Sequence, residues 1–158
     1  MNVYANEWDD PFPPIEGWRQ HVKRLLPRSP LGMTVYELEA GQTQCPYHLH
    51  HGEEELIVVL RGKPTLRTPT GERELDEGDV VHFPKGADGL HQIINRSATR
   101  VRYIVASTNA TPEVCEYPDS GKVGIFSRES STRGGEMLAT MHRFDDAVDY
   151  LDGERPRE

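Results

Sequence analysis

The chain has 158 residues, enough for one domain with a proper core. Lys and Arg total 18 against 26 Asp and Glu, a formal charge of −8, which argues against nucleic acid or an anionic membrane as partner. The longest apolar run, Leu56 to Leu60, is far too short to span a bilayer, and the N-terminus lacks the basic and apolar regions of a secretory signal. A cytoplasmic protein is expected, with Cys45 and Cys115 as reduced thiols rather than a disulfide framework.

Residues 1–30 are punctuated by proline, with Trp8, Phe12 and Trp18 interspersed. They read as an extended arm that lays aromatics on the domain or on a neighbouring subunit, with Gln20 to Leu26 as a helical turn or two. From Met33 the chain changes to short strands. The expected set is Met33–Glu39, Cys45–Leu49, Glu55–Leu60, Thr65–Thr68, Glu72–Leu75, Val80–Phe83, His91–Asn95, Val101–Ser107 and Val123–Phe126. The breaks carry Ala40-Gly41, Gly62-Lys-Pro64, Pro69-Thr-Gly71, Glu77-Gly-Asp79 and Pro84-Lys-Gly86, all turn formers. Many short strands with such turns predict an all-β sandwich or barrel. Beyond Phe126, Ser127 to Glu136 reads as loop. Asp145 is placed to cap a short helix through Leu151, with Ala147, Val148 and Leu151 facing inward. The expected organisation is therefore an arm over 1–30, a barrel over 31–126, and a C-terminal loop and short helix over 127–158 packed on the barrel.

Chemistry concentrates in His48, His50, Glu55 and His91. His48 and His50 leave the same face of an extended strand, Glu55 opens the next strand after Gly52, and His91 is the candidate fourth donor from elsewhere. Imidazole with carboxylate suits a divalent transition metal rather than Ca or Mg. His51 should point away, to solvent, and Glu53 and Glu54 flank Glu55 with the same expected fate. Cys45 reads as a small buried residue, and His82 as a pocket or core histidine. Asn95 should tie down a turn, while Arg61, Arg67, Arg100 and Arg102 could grip an anion if any faces inward.

These residues resemble the motifs of the cupins, small double-stranded β-helix (jelly-roll) proteins. The first cupin motif appears as Gly41, six residues, His48-Leu-His50, four residues, Glu55, six residues, Gly62. The second appears as Gly78, five residues, Pro84-Lys-Gly86, four residues, His91, three residues, Asn95. One residue is added before His48 and two before His91, where a turn can absorb them. The stretch Tyr117-Pro-Asp-Ser-Gly-Lys122 also resembles small single-domain bacterial cupins of uncharacterised function.

The resemblance implies a cupin jelly roll, and the six-residue spacing to Gly62 selects Glu55. It also implies one mononuclear metal (Fe, Mn, Zn or Ni) on His48, His50, Glu55 and His91, with a small molecule as ligand. A homodimer is expected from the aromatic arm and from the habits of small cupins. Three roles follow: an oxygenase, a metal-dependent sugar or sugar-phosphate isomerase or epimerase, or a non-catalytic binding module. Oxygenase chemistry leads narrowly, because it needs no separate acid–base pair and the sequence offers no obvious one; Glu54, His82 and a metal-bound hydroxide are the candidates for an isomerase base.

Overall fold

The computed structural model describes residues 2–9, 16–19, 21–26, 30–130 and 137–155. Its strands are β1 (His21–Arg24), β2 (Gly32–Leu38), β3 (Leu49–His50), β4 (Glu55–Arg61), β5 (Thr65–Thr68) and β6 (Gly71–Glu74). They are followed by β7 (Val80–Phe83), β8 (Gln92–Ile94), β9 (Val101–Ser107), β10 (Glu113–Tyr117), β11 (Lys122–Ser130) and β12 (Met137–Arg143). Three antiparallel sheets result, ordered β1-β2-β9-β4-β7, β12-β11-β10-β3 and β6-β5-β8. The expected all-β fold is what the chain adopts.

Alternation explains the core. Ile57 and Val59 on β4 and Val101, Tyr103 and Val105 on β9 point inward, because every second side chain of a strand shares a face. They meet Leu38, Leu66, Phe83 and Ile93 from the other strands and Leu75 just after β6. Each such side chain contributes about 1.5–3 kcal/mol on leaving water. The Tyr103 hydroxyl, fully buried, donates to Gln44 Oε1 at 2.9 Å, so its burial leaves no polar group stranded.

Some expected elements differ. Residues 21–24 form an edge strand rather than a helical turn, paired to β2 from His21 opposite Glu37 through Arg24 opposite Thr34; Gln20 lies outside the described residues. Of Cys45–Leu49 only Leu49 belongs to a strand, extended by His50. The supposed loop after Phe126 is strand as far as Ser130, and β12 then folds back on it; residues 131–136 lie outside the described set. The C-terminal helix does not form. A single 3₁₀ turn, Phe144–Asp146, takes its place. Val148 and Leu151, expected to face inward, are 73% and 69% exposed.

The arm uses its described aromatics within its own chain. Trp8 packs on the His21 ring at 5.1 Å, and the Arg102 guanidinium lies 4.9 Å from the Trp8 ring centre. Arg102 and Glu37 are both buried and paired, Arg102 Nε donating to Glu37 Oε2 at 2.8 Å. Arg102 also donates to Val3 O (3.3 Å) and to Asn6 Oδ1 (2.7 Å). Trp18 bridges to Thr43. Phe12 lies outside the described residues.

Candidate metal centre

The site forms where the three sheets meet. His48 and His91 stand directly opposite each other in an antiparallel bridge, each backbone N–H donating to the other's carbonyl at 3.1 and 2.9 Å. That pairing puts both side chains on one face, with ring centres 4.6 Å apart. His50 comes from β3, opposite Cys115 of β10. Glu55 opens β4, opposite Phe83 of β7. The Phe83 ring stacks on His91 at 3.7 Å and 8°.

Glu55 Oε2 lies at the centre, 3.3 Å from His91 Nε2, 3.4 Å from His50 Nε2 and 4.0 Å from His48 Nε2. His48, Glu55 and His91 each offer a ligand atom within 4.8 Å of the others. The ring orientations have local causes. His48 Nδ1 lies 2.9 Å from Pro46 O and His91 Nδ1 lies 2.8 Å from Gly89 O. A carbonyl only accepts, so each Nδ1 carries the proton and each Nε2 presents a lone pair. Glu55 Oε2 and His50 Nε2 are buried with no hydrogen-bond partner. A buried carboxylate oxygen without an aligned donor is costly, and a divalent cation held by these residues would satisfy it. The residues fit a transition metal on the chemistry of their donors.

The electrostatics are those of a tight, buried cluster. Burial, then the His91 and His50 imidazoles, push His48 down to about 3. Burial opposes charge on His50 too, but Cys115 and Glu55 outweigh it and raise it to about 11. Glu55 is raised by burial yet held well below the usual carboxylate range by His50 and His91.

His48 and His50 open onto a cavity of about 480 Å³. Its wall includes Arg19, Glu53, Glu113, Cys115, Tyr117 and Phe126. The candidate bases Glu54 and His82 are elsewhere: they pair with each other at 3.0 Å, each about half exposed, and neither lines this cavity. Glu53, expected in solvent, is on the wall instead. His51 is half exposed and pairs with Glu116 at 2.6 Å.

The arginines singled out from the sequence are used in other ways. Arg67 pairs with Asp119 and lies over Tyr47, Arg100 pairs with Glu39, Arg102 with Glu37, and Arg61 is exposed. Arg19, which no motif marks in the sequence, is the cation on the cavity wall. Asn95 holds its turn, donating to Leu38 O and Thr99 O and accepting from Ser97. Cys45 Sγ sits 3.5 Å from His48 Nδ1, and burial keeps it a thiol by raising it to about 12.

No helix among the described residues is long and apolar enough to cross a membrane. No curated protein sequence matches the chain. Among solved structures, a cupin-superfamily sugar phosphate isomerase from Silicibacter pomeroyi aligns at 25% identity and TM-score 0.70, over 83% of this chain and 80% of its own. A protein from Acidithiobacillus ferrooxidans, provisionally called a sugar phosphate isomerase, aligns at 27% identity and TM-score 0.68, over 82% and 79%. A Cupin 2 conserved barrel domain protein from Salinispora arenicola shares the fold at 22% identity and TM-score 0.50, over 57% and 76%. Residues 34–107 match the family described as Cupin domain, and that segment carries all four clustered residues.

Proposed function

We propose that this protein is a metal-dependent isomerase that moves a proton on a small hydroxy-carbonyl metabolite of the sugar or sugar-phosphate kind. The observation that carries the reading is the buried Glu55 oxygen with three imidazole nitrogens 3.3–4.0 Å from it, beside a cavity lined by Glu53, Glu113 and Arg19. One aligned structure bears the name sugar phosphate isomerase and a second bears it provisionally, which supports the substrate class.

In this reading His48, His50, Glu55 and His91 hold one divalent cation, which when bound supplies Lewis-acid polarisation of a carbonyl oxygen. Glu53 takes the proton from the carbon beside that carbonyl and returns it to the neighbouring one. Tyr117, whose phenol burial pushes up, stays protonated and donates to a substrate oxygen. Arg19 faces the substrate's anionic or most oxygen-rich end. Phe126 walls off water. The expectation of oxygenase chemistry rested on the lack of an acid–base group, and Glu53 and Glu113 on the cavity wall remove that ground.

The test is deuterium exchange. Protein loaded in turn with Zn, Mn, Fe or Ni is incubated with aldoses, ketoses and their phosphates in D₂O and followed by proton NMR. Metal-dependent label at the carbon next to the carbonyl supports the proposal. Oxygen consumption with no label would replace it with an oxygenase, and binding with neither would replace it with a binding module.

A further inference from the structure

The three clustered histidines are not held alike. His48 and His91 each rest Nδ1 on the carbonyl two residues earlier, Pro46 O and Gly89 O. For His50 the corresponding carbonyl is that of His48, which already accepts the His91 N–H. Its Nδ1 turns instead to β10, where it meets Cys115 Sγ in a hydrogen bond at 3.2 Å and faces Glu113 Oε1 at 3.4 Å. Sulfur is a weak acceptor and an ionised carboxylate a strong one. Cys115 itself stays a thiol, raised by burial, and its Sγ lies 3.7 Å from Glu113 Oε1, to which it donates.

Glu113 does a second thing. It is 4% exposed, and its Oε1 accepts from the backbone N–H groups of His51 (3.2 Å) and Gly52 (3.3 Å). Those residues form the turn between His50 on β3 and Glu55 on β4. Its other oxygen is buried without a partner and lies 2.5 Å from where a Cβ on residue 52 would stand. Glycine at 52 is what lets the carboxylate reach under the turn.

We propose that Glu113 is a positioning residue for the metal centre. It fixes the His50 tautomer with Nε2 toward the cation, holds the turn that sets His50 against Glu55, and supplies a negative charge that strengthens His50 as a donor. The proposal rests on the metal-binding reading above. It goes beyond that reading by assigning the tuning of one ligand to a side chain outside the ligand set. Carboxylate partners of ligating histidines typically account for about 10- to 100-fold in metal affinity.

The test compares Co²⁺ and Zn²⁺ affinity in Glu113→Gln, Cys115→Ser and the unaltered protein, with thermal melting of each metal-free form. Gln keeps the shape and an accepting oxygen but not the charge. The expected result is a 10- to 100-fold weaker Kd in Glu113→Gln, a change under about threefold in Cys115→Ser, and similar melting throughout. An unchanged Kd in Glu113→Gln overturns the proposal, as does an equal loss in Cys115→Ser. If the unaltered protein itself takes up no metal, the metal-binding reading fails first, and the two failures are told apart.

A second measurement needs no variant. Long-range ¹H–¹⁵N NMR of the zinc-loaded protein should show His50 with a slowly exchanging proton on Nδ1, whereas zinc on Nδ1 or rapid exchange there overturns the assignment.

Discussion

The carbonyl of Gly89 accepts the Nδ1 proton of His91 at 2.8 Å, so the short 3₁₀ turn Ala87–Gly89 sets the orientation of a buried imidazole two residues on. A Cβ on residue 89 would stand 1.8 Å from Pro84 O, with backbone rather than a flexible side chain in the way. Gly89→Ala must move one strand of the turn against the other. The expected outcome is a loss of about 2–4 kcal/mol of stability by urea denaturation, together with lower metal content by elemental analysis. A variant with ordinary stability and full metal would show that the carbonyl does not place His91.

The donor set makes a sharper prediction. His48→Ala, His50→Ala and His91→Ala should each reduce bound metal sharply, because removing one of four donors leaves the rest unable to close around the ion. His51→Ala, which alters only a half-exposed pair with Glu116, should retain it. Equal retention in all four variants would refute the assignment.

Metal uptake should release a proton. His50 is raised to about 11, so at neutral pH it is an imidazolium against Glu55, and an entering cation must displace that proton. His48, pushed down to about 3, has no proton to give. Affinity should therefore rise with pH by about tenfold per unit between pH 6 and 9. Calorimetry in buffers of different ionisation enthalpy reads the proton count directly. A pH-independent Kd over this range would contradict the charged His50–Glu55 pair.

Glu53→Gln tests the proton-moving step apart from the metal. It should lower kcat about 100-fold or more while metal content stays unchanged, since general-base catalysis contributes about 10²–10⁴ in rate. Unaltered kcat would move the base to another wall residue.

The strands Thr65–Thr68, Val80–Phe83 and Val101–Ser107 lie where the sequence placed them, because turn formers bound each one and apolar residues recur on the inward side. β10 was missed for an instructive reason. Its buried side chains are Glu113 and Cys115, while Val114 between them is only partly buried, so the usual pattern of polar and apolar residues runs backwards. Local rules fail most often where a site demands polar groups inside, and that is what β10 supplies. The four residues of β1, His-Val-Lys-Arg, carry little signal of their own, and pairing with β2 rather than local preference makes them strand.

The residues after Asp145 have helix-like spacing but no surface to cover. Tyr150 is 94% exposed, and so short an isolated helix has too little to offset its nucleation cost. At the site, spacing located His48, His50, Glu55 and His91. It could not show that the additional residues before His91 supply the turn that aims it. The aromatic arm, read as a hint of a two-fold partner, spends Trp8 on its own sheet, which leaves oligomeric state to light scattering.

That use of Trp8 has a practical consequence. The guanidinium of Arg102 is enclosed on one side by Glu37 and on the other by Val3, Asn6 and the Trp8 indole. Cutting away residues 2–8 would therefore strip the lid from an ion pair, not merely trim a tail. Shortened versions of the chain should be easier for proteases to open along β9.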